Sequence, residues 1–439
     1  MSDIAATGEL RPAVSRRMKD LVAVNFGNTL EWFDWAIYTI FAPYFALQFF
    51  PSADKSAALL AALAVFAAGF LTRPLGGFLF GLYADRVGRK KSLTLAMFIT
   101  AGGSLVIACA PTFATVGLAA SVILLVARLA QGIAHGGEMG TSVTYLVERA
   151  PRHRRALYGS TSWMSVVLGT MIATVTGLLL NANLDRPALE SWGWRIPFAL
   201  GGLLGLYGLY LRRKLTETDS FEKVKAQRSD TGSGLRPLVR NWRGVAVVFG
   251  LSAGGSIMFY TWLIYSPTFA QINRGLDAKS ALTASLIAQA VFLLAIPIVG
   301  WLADRFGRRI FIILFGVGFI AATFQLDALI TNSFSGLLTA MICALLILAC
   351  LFGVNTAVWA EVFPTEVRAT GVSGPLSLAT AIFGGTAPYV NTYLSQAGEQ
   401  RLFLVYLMVV SGITLITGLL IPETRTLDLD RPDTGRLSN

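Results

Sequence analysis

Several charged side chains of this 439-residue chain lie deep inside long apolar segments. At a rise of about 1.5 Å per residue, Glu31 and Asp34 lie roughly 16 and 21 Å into the first segment, and Arg73 about 18 Å from the end of the second. An ionised group at such a depth costs several kcal/mol unless it is paired or solvated, which makes each one a functional candidate. Arg73, together with Arg128 in the fourth segment, predicts an anion site, because a guanidinium binds a carboxylate through two parallel hydrogen bonds. The nearby acids predict a group that exchanges protons, because burial and neighbouring charges shift the pKa of a carboxyl group.

The fourth apolar segment carries a stripe of polar residues. At about 100° per residue, Arg128, Gln131, His135, Glu138 and Ser142 fall within an arc of roughly 80° on one helix face. We expect this stripe to line a cavity.

Two interpretations of the buried arginines remain open. Arg73 and Arg128 either bind the anion or each neutralise an acid and tie helices together. For the proton we favour Asp34 and Glu138 over Glu31, which lies beside Trp32 in a motif that can be structural. The side chains that we expect to contact the substrate are Arg73, Arg128, Gln131, Tyr260, Asn355 and Tyr389. Those that we expect to exchange protons are Asp34, Glu138, Glu31 and His135, the last of which either tunes the pH response or packs between helices.

The composition requires a lipid bilayer. The chain is 54% hydrophobic and 14% charged, whereas about a quarter of the residues of a soluble protein are charged. Segments of roughly 20 apolar residues predict twelve membrane spans. Their approximate bounds are 21–48, 56–84, 91–110, 115–147, 155–182, 194–213, 243–271, 280–304, 309–331, 335–361, 367–396 and 402–421. The first segment lacks the features of a cleaved signal peptide.

One basic sequence occurs twice, almost half a chain apart. Gly81-Leu-Tyr-Ala-Asp85-Arg-Val-Gly-Arg-Lys90 returns as Gly300-Trp-Leu-Ala-Asp304-Arg-Phe-Gly-Arg-Arg309. The repeat predicts an all-α membrane protein of twelve helices in two pseudo-symmetric six-helix bundles. We expect the first bundle over 1–213, a linker over 214–242 that holds at most a short amphipathic surface helix, and the second bundle with a short tail over 243–439.

Each copy of the repeat predicts a contact that closes one side of the molecule. Glycines permit a tight turn, and Asp85 and Asp304 can pair with an arginine or with the positive N-terminal end of a helix in the other half. The alternative is that the basic residues only set the topology and face anionic lipid. The residues expected to form this gate are Gly81, Asp85, Arg86, Arg89, Glu148, Asp304, Arg305, Arg308, Glu361 and Arg368.

The net charge of +11 does not predict a nucleic-acid binder, because most of the basic residues fall in the tails and in alternate loops. This bias places both termini in the cytoplasm. Cys109, Cys343 and Cys350 lie in or beside apolar segments without metal-type spacing. We find no Ser-His-Asp set, metal cluster or phosphate loop in the sequence, so we expect no enzyme activity, metal or cofactor, and no obligate protein partner is evident.

The repeated loop resembles the signature loop of the major facilitator superfamily. Further motifs are similar to those of its metabolite:proton symporter family, and among its members to the alpha-ketoglutarate permeases. These motifs begin at Gly27 (GNTLEWFD), Arg73 (RPLGG), Arg128 (RLAQGIAHGGE), Trp192 (WGWRIPF), Glu361 (EVFPTEVRATG) and Pro422 (PET). The resemblance implies a symporter of the inner membrane that imports protons with a small carboxylate, such as the dicarboxylate alpha-ketoglutarate, by alternating access.

Other functions remain open. Members of that family carry citrate, shikimate or zwitterionic osmolytes such as proline and betaine, and an osmolyte site would need an aromatic box. An organic-acid exporter would use the same residues, because direction follows gradients. A membrane sensor or scaffold that transports nothing is a weaker alternative, because it would have no use for the polar stripe. The fifth span lacks the Gly-Pro motif of proton-driven drug exporters, and the seventh lacks the paired glutamines of sugar porters.

Overall fold

The computed structural model describes residues 2–53, 55–217, 222, 239–427 and 429. This part of the chain forms twelve long helical units and contains no β-strand. Some connections hold short helical turns, at Phe113–Val116, Arg152–Arg154, Arg186–Ala188 and Leu189–Gly193. In chain order the units are α1 (Ser2–Phe49), α2 (Lys55–Leu71 and Arg73–Val87), α3 (Arg89–Cys109), α4 (Leu118–Arg149), α5 (Arg155–Asn183), α6 (Arg195–Arg213), α7 (Trp242–Met258, Phe259–Tyr265 and Ser266–Arg274), α8 (Ala278–Phe306), α9 (Arg309–Leu329), α10 (Phe334–Phe352 and Asn355–Glu361), α11 (Arg368–Ala379, Thr380–Gly384 and Ala387–Gln396) and α12 (Gln400–Leu420). The twelve-helix prediction is confirmed.

Among the described residues, nine of the twelve units are long enough and apolar enough to cross a membrane, judged by length and hydropathy alone. The other three are α1, α6 and α11. They pack among the nine: α1 against α5, α6 against α3, and α11 against α2 and α7. Nine helices with the length and composition of membrane spans, and three more packed among them, are the arrangement of a multi-pass membrane protein.

Helices within the first half contact one another through backbones as well as side chains. A Cβ added at Gly132 would collide with the carbonyl oxygen of Gly69, and one at Gly136 with that of Arg73. Small residues allow such an approach, which membrane helices use because lipid gives them no hydrophobic force to associate. The approach holds the start of the second segment of α2, where Arg73 lies, directly against α4.

The two halves meet where α2 packs on α11 and where α5 packs on α8. The repeated glycines have separate roles here. Gly88 and Gly307 turn the chain, with φ of 116° and 101°. Gly81 and Gly300 lie inside helices instead, and a Cβ there would come within 2.7 Å of the Thr370 Cα and 3.0 Å of the Ala156 carbonyl oxygen. The later glycine of each repeat thus makes the turn that we expected, and the first glycine of each repeat lets the halves cross closely.

The end of the molecule that carries both repeats is called the loop face below, and the other end the opposite face. Of the linker 214–242, the structure describes residues 214–217, 222 and 239–242. The surface helix that we expected between them lies outside the described residues.

Candidate functional site

A cavity of about 440 Å³ lies between the two halves. It is lined by α1, α2 and α5 of the first half and by α7, α8 and α11 of the second. The lining residues lie in the parts of these helices that lead towards the opposite face. The lining residues nearest the loop face on each helix form its inner end: Trp32, Arg73, Thr170, Tyr260, Gln289 and Ala381. This space is called the central cavity.

Arg73 is the one charged side chain among the described residues that line the central cavity. It is 2% exposed, and its Nη1 lies 3.5 Å from the hydroxyl of Tyr260. Its Nε and Nη2 have no hydrogen-bond partner, and no described carboxylate forms an ion pair with it. Its guanidinium carbon lies 3.5 Å from the ring centre of Phe70 and 4.2 Å from that of Trp35, and these rings stabilise the cation. Arg73 is thus a buried cation with donors left for an anion.

Arg128 lies in a different environment. Its Nη1 is 2.9 Å from Asp34 Oδ2, and the amide of Gln131 donates to the same oxygen at 3.1 Å. The hydroxyl of Ser104 donates to the other oxygen of Asp34. This group ties α1, α3 and α4 together, and none of its members lines the central cavity. Arg128 is therefore paired with an acid, as in the second interpretation that the sequence left open, while substrate contact by Gln131 and proton exchange by Asp34 stay predictions.

Glu31 and His135 form a second buried pair, with His135 Nδ1 2.7 Å from Glu31 Oε1. The indoles of Trp32 and Trp35 lie between this pair and the central cavity, with ring centres 5.3 and 5.6 Å from the imidazole. Arg73 acts electrostatically on both members of the pair. A pair of this kind can hold or release one proton close to the anion site.

Glu138 forms an ion pair with Arg212, a residue near the end of α6 that was not among the site residues expected from the sequence. Arg212 also donates to the Leu93 carbonyl oxygen at 2.8 Å, and its guanidinium occupies space that a side chain at residue 27 would take, where the chain has glycine. One signal was available in the sequence. Glycines at 201, 205 and 208 form a helical stripe that ends at Arg212, and such a stripe predicts a buried face.

The polar stripe of α4 is present and buried, but it packs against α1, α3 and α6 and does not line the central cavity. The central cavity is therefore not the cavity that we expected the stripe to line, and that expectation stays a prediction. The acids at 31 and 34 and the arginine of α6 neutralise the stripe in pairs within the first bundle. Because these partners come from other helices, the stripe alone could not reveal them.

The three substrate-contact candidates of the second half lie in different environments. Tyr260 lines the central cavity. Asn355 accepts a hydrogen bond from Trp163 Nε1 at 2.9 Å and lies outside the lining. Tyr389 is 73% exposed and stacks on Tyr393. Contact of these last two with the substrate stays a prediction that this geometry does not support.

Several polar residues of the lining were not singled out from the sequence, and three of them contact one another between the halves. Thr170, Ser285 and Gln289 form a hydrogen-bonded group across α5 and α8. Ser285 and Gln289 lie four residues apart on one face of α8, and an apolar run follows Gln289 up to Asp304. That pattern is the signal that could have found them.

The loop face is closed by two equivalent contacts between the halves. Asp85 accepts from the backbone N–H groups of Ala369 and Thr370 at 3.1 and 2.8 Å, at the start of α11. Asp304 accepts from those of Ala156 and Leu157 at 3.0 and 2.9 Å, at the start of α5. Each aspartate thus meets the helix N-terminus in the other half, as the repeat predicts.

Two glutamates join the same closure. Glu148 lies 3.5 Å from Arg89 of its own half and 2.6 Å from Arg368 of the other. Its counterpart Glu361 lies 3.2 Å from Arg308 and 3.8 Å from Arg155. Arg86 and Arg305, also expected in the gate, are exposed.

The chain after α12 crosses this closed face. The carbonyl oxygen of Leu427 accepts from Arg155 at 2.7 Å, and that of Leu429 accepts from Arg368 at 3.0 Å. The side chain of Leu429 packs between Val147 of the first half and Ala360 of the second. Residues from both halves and the tail therefore close the loop face, while the central cavity lies beyond them.

Residues 24–373 match the family model of the Major Facilitator Superfamily. The chain belongs to this superfamily. It is a membrane transporter and not an enzyme. Among solved structures, the superfamily's proton:xylose symporter, bound to 6-bromo-6-deoxy-D-glucose, matches it with a TM-score of 0.79 at 18% identity, over 95% of this chain and 98% of that one.

Curated members of the superfamily are similar over nearly the whole chain. The alpha-ketoglutarate permease of Escherichia coli is 39% identical, over 92% of this chain and 94% of its own. The citrate-proton symporter of Klebsiella pneumoniae is 35% identical, over 90% and 89%. The proline/betaine transporter of Salmonella typhimurium is 32% identical, over 95% and 84%. The names of these relatives give chemically different cargo: a keto dicarboxylate, a tricarboxylate and zwitterions.

Proposed function

We propose that this transporter is a proton symporter that imports a small carboxylate, such as the dicarboxylate alpha-ketoglutarate, by alternating access. The observation that carries the proposal is Arg73: a buried cation with unused donors and no carboxylate partner among the described residues, at the inner end of the central cavity. A buried cation without a counter-ion is costly. A substrate carboxylate that forks onto it, with the Tyr260 hydroxyl alongside, removes that cost.

The similarity to the alpha-ketoglutarate permease and the citrate-proton symporter supports an acidic substrate and proton coupling. We place the protein in the inner membrane with the loop face and both termini in the cytoplasm, because the basic residues concentrate there. The central cavity would then receive its substrate from outside, and opening of the loop face would release it inside.

The proton is assigned to Glu31 and His135. Two cations, Arg73 and Arg212, act electrostatically on Glu31. Two other acids also act on the pair: Asp34 on both members, and Glu138 on His135. When the substrate carboxylate neutralises Arg73, one of these cations is cancelled and Glu31 holds a proton more tightly. Substrate binding and proton binding thus assist each other, and this reciprocity is what symport requires.

Uptake into proteoliposomes tests the proposal. A labelled panel of di- and tricarboxylates, shikimate, proline and betaine should show uptake of a carboxylate that increases with an inward proton gradient and stops in the Arg73→Ala variant. Carboxylate uptake that does not respond to the gradient would contradict proton coupling, and undiminished uptake in the variant would contradict the anion site.

One observation favours a second candidate, a symporter of a zwitterionic osmolyte. The rings of Trp32, Trp35, Phe66, Phe70 and Tyr260 line the central cavity, as a box for a quaternary ammonium would. The Arg73 guanidinium already covers the faces of Phe70 and Trp35, so a second cation there would be repelled, and we therefore rank this candidate below the carboxylate. Competition by betaine and not by dicarboxylates would reverse the order.

A further inference from the structure

A second polar group lines the inner end of the central cavity, on helices other than the one that carries Arg73. It consists of Thr170 on α5 with Ser285 and Gln289 on α8, and it is called the amide cluster below. The Thr170 hydroxyl lies 3.1 Å from Gln289 Oε1, and Gln289 Nε2 lies 3.0 Å from Ser285 Oγ. The three residues are 7, 5 and 6% exposed. Buried polar groups in a ligand cavity are the ones that fix the orientation of a substrate.

The amide cluster has hydrogen-bonding capacity left over. A glutamine amide has two N–H groups, and one of them is used on Ser285. Ser285 is an acceptor in that bond, which leaves its own proton for another partner. Thr170 has one proton, and the carbonyl oxygen of Val167, at 2.8 Å, also competes for it. The amide of Gln289 can therefore rotate and offer either a donor or an acceptor to a ligand.

The amide cluster carries no charge, and this limits what it can bind. Arg73 is the one cation among the described lining residues, which include no acid. Once a substrate carboxylate has neutralised Arg73, a second ionised group in the same enclosed space would lack a counter-ion and would cost several kcal/mol. A neutral hydroxyl, amide or protonated carboxyl would instead find hydrogen-bonding partners.

The two groups lie at similar depth. Arg73 and Gln289 precede Asp85 and Asp304 of the loop face by 12 and 15 residues, which correspond to about 18 and 22 Å. The contact between Thr170 and Gln289 also joins the first half to the second, so it must break when these helices separate.

We propose that the amide cluster binds the uncharged end of the substrate, so that the site takes an acid with one net negative charge. A dicarboxylate would therefore bind as its half-protonated form, and one of the protons imported would travel on the substrate itself. This inference rests on the proposed function, in which Arg73 binds the ionised end.

Binding of two matched acids to the purified protein tests the inference, with the fluorescence of Trp32 and Trp35 in the cavity lining as the signal. Glutarate has two carboxyl groups, and its monoamide has one. The affinity for glutarate, divided by that for the monoamide, should fall about tenfold for each pH unit above the second pKa of glutarate. The ratio removes the effect of the protein's own titrating groups, since they act on both acids.

Variants of Gln289 make the test specific. Gln289→Lys supplies a second cation, so the affinity ratio should become independent of pH. Gln289→Leu should reduce the preference for the monoamide over pentanoate, which ends in a methyl group, by roughly tenfold, as expected for one or two lost hydrogen bonds. Gln271→Leu makes the same change at another lining residue, whose amide bonds to its own helix, and should leave both ratios unchanged.

The outcomes separate this inference from the proposed function. If glutarate and the monoamide bind through Arg73 with a ratio that does not change with pH, the inference is overturned and the anion site stands. If Gln271→Leu lowers the preference for the monoamide as much as Gln289→Leu does, the amide cluster is likewise overturned as the binding group. If neither acid binds and betaine does, the proposed function itself fails.

Discussion

Arg73 and Arg128 are both arginines inside the membrane, but their surroundings give them different roles. Arg128 has a carboxylate partner at 2.9 Å in Asp34, whereas Arg73 has aromatic faces and a tyrosine hydroxyl. Breaking a buried pair leaves a charge uncompensated, while removing an unpaired cation does not. Substitution should therefore affect binding in one case and stability in the other.

Arg73→Ala should weaken binding of the substrate acid by roughly 10- to 100-fold, because charge-assisted hydrogen bonds contribute about 1.5–3 kcal/mol. The unfolding temperature should not fall. Arg73→Lys should restore binding only in part, because lysine keeps the positive charge but cannot bind a carboxylate through two parallel hydrogen bonds. Titration of the detergent-solubilised protein, together with thermal unfolding, measures both quantities.

Arg128→Ala is the matched control. It should destabilise the protein by about 3–5 kcal/mol through the unpaired Asp34, and a second change, Asp34→Ala, should recover part of the loss. Equal stability losses in the Arg73 and Arg128 variants would contradict this division of roles.

Glu31→Gln should uncouple from the proton gradient the transport of an acid with a single carboxyl group, such as the monoamide of glutarate, on which no proton travels. The glutamine amide cannot exchange a proton, while Arg73 still binds the acid, so exchange of labelled for unlabelled substrate should continue as gradient-driven uptake is lost. Both assays use the same proteoliposomes. Asp185→Asn, at an exposed helix cap, is the control for loss of a carboxylate, and persistent gradient-driven uptake in Glu31→Gln would exclude Glu31 as the proton site.

At the scale of the helices, the contact between α2 and α4 sets the position of the anion site. Gly136 packs on the backbone at Arg73, where an added Cβ would collide with the carbonyl oxygen. Helix separation would therefore move the guanidinium away from Tyr260.

Gly136→Ala should cost about 1–3 kcal/mol of stability, the usual range for overpacking, and should weaken substrate binding as well. Gly102→Ala provides the comparison, because an added Cβ there meets no atom within 4 Å. That change should be neutral or stabilising, since alanine is the better helix former by about 0.5–1 kcal/mol. Thermal unfolding and substrate titration report the two effects, and equal behaviour of both variants would refute the packing argument.

The sequence predicted the helices well because, among the described residues, nine of the twelve units have the length and hydropathy of a membrane span on their own. It also predicted which face of α4 is polar, since the period of a helix fixes that face. It did not predict what the stripe meets, because Asp34 and Arg212 approach it from α1 and α6, and their distance in space is not encoded in any short pattern. For the same reason Arg73 could not be distinguished from Arg128.

At the scale of the whole molecule, the repeat produces two equivalent contacts related by the duplication. Asp85 closes α2 on α11, and Asp304 closes α8 on α5. If each half moves as one body, weakening either contact should loosen both.

Asp85→Asn should therefore expose Ser160, which is fully buried in the other contact, beside Gly300. In a background with the native cysteines replaced by serine, thiol labelling of Ser160→Cys should be about 5- to 30-fold faster when Asp85→Asn is added, the factor for one or two kcal/mol. Asp277→Asn alters a helix cap of α8 at the opposite face and should leave the labelling rate unchanged. If Asp85→Asn leaves the labelling rate of Ser160→Cys unchanged, the change is confined to the contact of α2 with α11, and the halves do not move as units.

The tail offers a way to watch this motion. Arg155 and Arg368 belong to different halves, and each donates to a tail carbonyl, at Leu427 and Leu429. Separation of the halves must break at least one of these bonds and free Leu429 from its position between Val147 and Ala360. The surroundings of a small fluorophore on a Thr426→Cys variant would then change with every turnover, and the label would leave the central cavity intact. The protein thus contains an attachment point for an optical assay that follows transport without a labelled substrate.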